Sequence, residues 1–273
     1  MKITFDDFKR ACPAAATPDP EIFNAIQEQM YYASEKIRDI LTPTIYDALE
    51  DPEQDQLESL SNHVKAFVCA EAFYDAIPQL DLVLTSTGFG VVSNQNVAPA
   101  SSDRVERLRT NLRRTALIRL DRIIAKLRHL KDWQGSKAQF SLFRSLFWSA
   151  EHMHLLGVTD PTRDDLEAKI GELMGAELEV EKIISPEQLC EFRRLESCGE
   201  ASPVQAMAID FCRRYVAAMV CERPGVDTHR RNLLRFVENH IEEFEPYRAS
   251  QTYKANHFEP YQNKKDDTCF FFG

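Results

Sequence analysis

Leu80-Asp81-Leu82-Val83-Leu84-Thr85-Ser86-Thr87-Gly88-Phe89-Gly90-Val91-Val92-Ser93-Asn94 decides how this chain is read, because it interrupts a pattern that is helical almost everywhere else. Two short runs of β-branched and apolar residues flank a Ser-Thr-Gly turn. That is the composition of a β-hairpin with glycine where the backbone needs positive φ. A lone two-stranded hairpin is marginal in water, so these strands must pack on helices or pair with another chain.

Working outward, Leu57, Leu60, Val64, Phe67, Val68, Ala72 and Phe73 recur at helical spacing over about 55–77, and Pro78 is expected to close that helix. On the other side Asp103 with Glu106 has the form of a capping box. It opens a long amphipathic helix to about residue 132 with a stripe at Val105, Leu108, Leu112, Ala116, Leu120, Ile123 and Leu127. Upstream, Thr4 precedes a short helix, and Asp19-Pro20 opens one carrying Ile22, Ile26, Met30, Ala33 and Ile37 that ends at Pro43. Downstream, Ser136 caps a helix expected to place Phe140, Phe143, Phe147 and Met153 on one side and to stop at Gly157.

The chain then echoes itself at a constant offset. Val180 to Pro186 aligns with Ile37 to Pro43, Met30 with Leu173, Ala33 with Ala176 and Cys69 with Cys212. The expected fold is therefore mainly α, with two related antiparallel helical units. Unit one covers 1–132, including a β-hairpin insertion at 80–101 and the basic helix 103–132, and unit two covers 133–247. An extended aromatic tail follows at 248–273, where Phe270, Phe271 and Phe272 need a docking surface to avoid aggregation.

Ile77 to Thr85, Thr87 to Asn94 and Ala98-Pro99-Ala100-Ser101, followed by Arg104-Val105-Glu106-Arg107-Leu108, resemble a family of uncharacterised phage and prophage proteins from gut Bacteroidetes, encoded among head and tail morphogenesis genes. The resemblance implies a structural virion protein, a head–tail connector or neck component that forms a ring between portal and tail. It implies contacts with itself, with the portal and with tail or neck proteins, assembly in the host cytoplasm, and no enzymatic activity. Leu82, Leu84, Thr87, Gly88, Phe89, Gly90, Val91 and Asn94 are the expected assembly contacts, and Phe270–Phe272 the docking tail.

Net charge is −10, which disfavours nucleic acid unless the basic residues are segregated. They are segregated: between Asp103 and Asp132 ten basic residues face four acids. A rival reading is thus a regulatory or packaging protein that contacts nucleic acid or an acidic partner through Arg107, Arg113, Arg114, Arg122 and Arg128. The competing explanation is a face that pairs with acidic helices. Seven scattered cysteines without a Cys-x-x-Cys pair argue against a disulfide framework and a zinc ribbon and fit a reducing compartment. No apolar stretch has bilayer-spanning length, so no membrane contact is expected. His152 and His154 stand two apart, on opposite sides of a helix, and Gly88-Phe89-Gly90 is too short for a dinucleotide fingerprint. No metal, cofactor or catalytic residue is expected.

Overall fold

The computed structural model describes residues 1–13, 20–50, 52, 55–80, 82–85, 88–91 and 101–258, with backbone only for the two strands. The fold is mainly α. The chain divides into two compact units, Met1–Ile170 with Ser197–Gly199, and Gly171–Glu196 with Glu200–Gly273. The division falls inside a helix, not at residue 132, and the reason is aromatic packing. Trp133, Phe143 and Trp148 are buried in the first unit's core, and the Trp133 indole donates to the Ile40 carbonyl at 2.8 Å. A polar anchor adds to this, since buried Gln139 donates to the Ser197 carbonyl at 3.0 Å. Gly199 follows at φ +68, where an added Cβ would lie 2.3 Å from the His129 ring.

The first unit is built on two long helices, α5 (Asp55–Leu80) and α6 (Ser102–Leu127). His63 meets Arg119, Glu71 meets Arg113 and Tyr74 meets Arg109, so advance along one helix is retreat along the other. The pair is antiparallel. Around it lie α1 (Phe5–Ala11), α2 (Glu21–Ala25), α3 (Gln27–Leu41) and α4 (Pro43–Ala48). Thr4 and Asp7 close a reciprocal capping box that aims the buried Phe8 at Phe73, ring centres 5.8 Å apart.

Three expected boundaries move. Pro78 lies inside α5, which continues to Leu80. Helix α6 starts behind Ser101, which makes no side-chain cap, and Glu106 turns to Arg109 at 3.7 Å instead of back to the helix start. The helix after Ser136 is only α7 (Lys137–Leu142), and residues 150–156 form a 3-10 helix ended by Gly157 at φ +85. Beyond the break, Asp121 of α6 accepts from the Ser149 hydroxyl at 2.6 Å and the Ala150 amide at 3.1 Å, fixing the chain at the start of the 3-10 helix. Phe143, Phe147 and Met153 are buried, whereas Phe140 is exposed.

Between α5 and α6 the backbone forms β1 (Leu82–Thr85) and β2 (Gly88–Val91), paired antiparallel with Leu82 opposite Val91 and Leu84 opposite Phe89. The remainder of the expected insertion, including Thr87 and Asn94, lies outside the described residues.

Helix α8 (Arg163–Ile184) leads to α9 (Pro186–Cys198), α10 (Pro203–Val220) and α11 (Val226–Asn239). The second unit's core includes Leu173, Val180, Leu189, Phe192, Cys212, Val216 and Val237. Inside it the fully buried Glu177 accepts from Arg193 at 2.6 Å. Thr42, before α4, and Ser185, before α9, are both non-glycine residues at positive φ, 73° and 76°, each followed by proline. Such a backbone costs of order 1–3 kcal/mol for a residue with a Cβ.

The expected extended tail is helical at its start. Helices α12 (Glu245–Arg248) and α13 (Gln251–Asn256) form because Tyr247 is buried and the Ser250 hydroxyl caps the Tyr253 amide at 3.0 Å. Phe270, Phe271 and Phe272 lie outside the described residues.

Candidate functional site

Two sequence features were candidates for function, the hairpin and the arginines of α6. Six of the eight hairpin residues, Leu82, Leu84, Gly88, Phe89, Gly90 and Val91, fall in the paired strands. Among the described residues the sheet has two strands only, so each strand has one edge without a strand partner among those residues.

The α6 arginines do not form one free face, because three of the five are engaged within the chain. Arg113 reaches the buried Glu71 at 3.3 Å and Asp164 at 3.1 Å. Burial opposes its charge, and these carboxylates outweigh it, so its pKa rises above the ordinary value. Arg114 pairs with Asp160 at 3.1 Å, and the Arg128 guanidinium sits 4.9 Å over the Trp148 ring. Arg107 and Arg122 are the exposed pair of the five, and among the described residues Arg107 bonds to the Asp103 carbonyl on its own helix. Most of the candidate nucleic-acid arginines therefore hold the protein together.

A cleft of about 300 Å³ opens beside α6, lined by Arg114, Arg122, Trp148, Ser149, His154 and Asp160. Its floor is a buried network in which Arg163 donates to Asp121 and to the Trp148 carbonyl, both at 3.0 Å. The Ser149 hydroxyl donates a hydrogen bond to Asp121, while the Nδ1 of His154 faces the Val158 carbonyl at 3.0 Å. Serine, aspartate and histidine are thus near one another without a serine–histidine pair. The network joins chain segments and does not assemble a nucleophile with a base. Among the described residues no three His, Cys, Asp or Glu side chains cluster as a metal set.

Sequence patterns did not point to Asp121, Arg163 or Glu71. Their importance comes from contacts 42 residues apart in the chain, which no helical spacing reveals.

Residues 23–139 match the model of a family described as a family of unknown function, DUF6712. The match runs from α2 into α7 and so spans the long helix pair and the two strands between them in the chain. No curated protein and no solved structure matches the chain. No helix among the described residues is long and apolar enough to cross a membrane.

Proposed function

We propose that this protein is a structural, non-enzymatic assembly component: a phage head–tail connector, or neck, protein that joins copies of itself in a ring between portal and tail. The observation that carries this reading is the hairpin. An antiparallel helix pair needs only a short turn, yet here α5 and α6 are linked by residues 81–101, which include two paired strands whose outer edges have no strand partner among the described residues. Open strand edges recruit strands from other chains by main-chain hydrogen bonding. Leu82 opposite Val91 and Leu84 opposite Phe89 put apolar residues at paired positions, and Gly88 and Gly90 allow a neighbouring backbone to come close.

The finer architecture belongs to the same proposal. The helix series α3, α4, α5, α6 and the series α8, α9, α10, α11 are related copies, supported by the shared positive-φ residue before proline at Thr42 and Ser185. The first copy carries the hairpin as an insertion; the second passes from α10 to α11 through Cys221–Gly225. The tail residues Phe270–Phe272 dock on a partner subunit.

Replacing residues 81–93 by a short Gly/Ser linker tests the assembly role. Circular dichroism should stay helical, while mass photometry and negative-stain imaging, with and without the portal protein, should show that ring formation or portal attachment is gone. A variant that unfolds makes the hairpin part of the core, and one that still assembles refutes the role outright.

A further inference from the structure

One face of α6 is neutralised and the other is not. Arg109, Arg113 and Arg114 each have a carboxylate, respectively Glu106, Glu71 with Asp164, and Asp160. Arg119, Arg122 and Lys126 stand at helical spacing i, i+3 and i+7, and among the described residues none has a carboxylate at ion-pairing distance. The nearest acid of α6, Asp121, is committed to Arg163. Like charges at this spacing repel one another, so leaving them unmatched costs stability unless something else meets them.

Arg119 borders a cleft of about 220 Å³ between α1, α5 and α6. Its guanidinium lies 3.2 Å from the Nδ1 of His63. A guanidinium has only donors, so His63 must accept through Nδ1, which makes the imidazole neutral with its proton on Nε2. Arg119 is thereby held in position by an uncharged partner, and most of its donors have no acceptor among the described residues. Lys65 and Arg10 enter the same cleft. The one carboxylate there, Asp7, already accepts from the Thr4 amide and hydroxyl and from Arg10 at 2.5 Å, with Lys65 at 3.5 Å. Among the described residues three cations against one spent carboxylate leave the cleft positive, and Ser59 and Asn62 add neutral donors.

We propose that this cleft is an oxyanion site that takes a phosphate group, with Arg119 as the principal ligand, Lys65 and Arg10 completing the charge, and Lys126 strengthening the field. A guanidinium fork pairs bidentately with phosphate as it does with carboxylate, and the convergence of Arg119, Lys65 and Arg10 on one small cleft matches the higher charge of a phosphate. The site is separate from the hairpin and independent of the assembly role. The phosphate is that of a free ion or of a nucleic-acid backbone, and the two are separable by experiment.

The full-length protein is titrated by calorimetry with inorganic phosphate and, separately, with a short single-stranded oligonucleotide. Arg119→Gln should weaken phosphate binding about tenfold or more, equivalent to one charge-assisted hydrogen bond, and Lys65→Gln should weaken it as well. Arg107→Gln, remote from the cleft and on the same helix, should leave it unchanged. Phosphate alone binding identifies a free-ion site; an oligonucleotide that displaces phosphate and shares its sensitivity to Arg119→Gln identifies the backbone. Because Arg119→Gln also frees His63, Lys126→Gln is the second variant, and it should weaken binding with the melting temperature intact. The proposal fails if phosphate does not bind, if these variants bind like the wild type, or if a polyglutamate peptide outcompetes phosphate.

Discussion

Replacing Asp121 by alanine should unlatch the first unit. The carboxylate accepts from Arg163, Ser149 and Ala150, and so ties α6 to the chain before the 3-10 helix and to the start of α8. The Arg163 side chain is 6% exposed and that of Asp121 15%, so the pair is shielded from water. Removing one partner of a buried ion pair costs about 3–5 kcal/mol, most of it the penalty for the charge left behind. Arg163 keeps the Trp148 carbonyl at 3.0 Å and a half-exposed Glu167 at 3.7 Å, which places the loss near the low end, about 3 kcal/mol. The orphaned Ala150 amide adds about 1 kcal/mol. Asp121→Asn keeps an acceptor for Ser149 and Ala150 while giving up the charge, and should cost roughly half as much. Urea unfolding followed by tryptophan fluorescence is the assay, because both tryptophans, Trp133 and Trp148, are buried in this unit. An alanine variant within about 1 kcal/mol of the wild type at unchanged m-value would refute the argument.

Two further outcomes follow from titratable groups. Burial first, and then Arg119, Lys126 and Arg122, lower the pKa of His63 from its ordinary 6.5, so the unfolded chain binds more protons there than the folded one. Its contribution is whole above pH 6.5 and is lost as pH falls from 6.5 through the lowered value; the urea midpoint should drop between pH 7 and 5.5, and His63→Gln should reduce that slope. His129, lowered by burial and by Arg128, adds to it in the same direction. Burial also pushes the Cys12 thiol up to about 12 and raises Cys69 and Cys212, whereas Cys190 is exposed. An alkylating probe at pH 8 should label Cys190 in the native protein and leave the three buried thiols to the unfolded state, as peptide mapping would show.

The helices were legible because their apolar positions repeat at helical spacing: Leu60, Val64, Phe67 and Val68 of α5 are all buried. What the pattern did not contain is the partner of each charge. The basic stretch of α6 reads as a single face in the sequence. In space Glu71 and Asp164 claim Arg113, and Asp160 claims Arg114, because helix pairing brings acids from distant segments alongside. The same limit hid the break after α7. Phe140, Phe143 and Phe147 carry helical spacing, yet α7 ends at Leu142, and a carboxylate on α6, distant in sequence, fixes the chain that follows at Ser149. Boundaries set by local chemistry were closer to the mark, as at Ser136, whose hydroxyl caps the Gln139 amide at 3.1 Å.

Folding and assembly are separable in this chain if the helix pair is closed without the hairpin, and the contacts along the pair bear on that. Glu71 with Arg113 and Tyr74 with Arg109 fasten α5 to α6 within two to three turns of where α5 ends, and Phe67, Phe73, Ala76 and Ile77 are buried beside them. The two strands are attached unequally: one residue, Asp81, separates α5 from β1, whereas ten separate β2 from Ser102 at the start of α6. On the proposed assembly role, the short link after Leu80 is the one that sets how the strands are presented to a neighbour. Extending the link after Leu80 by a few glycines should leave the helix pair intact, as read by an unchanged melting temperature. It should weaken assembly because the strand edge is no longer presented at a defined angle. Assembly that tolerates such an extension as well as it tolerates the same insertion after Val91 would show that the edge is not what neighbouring chains recognise.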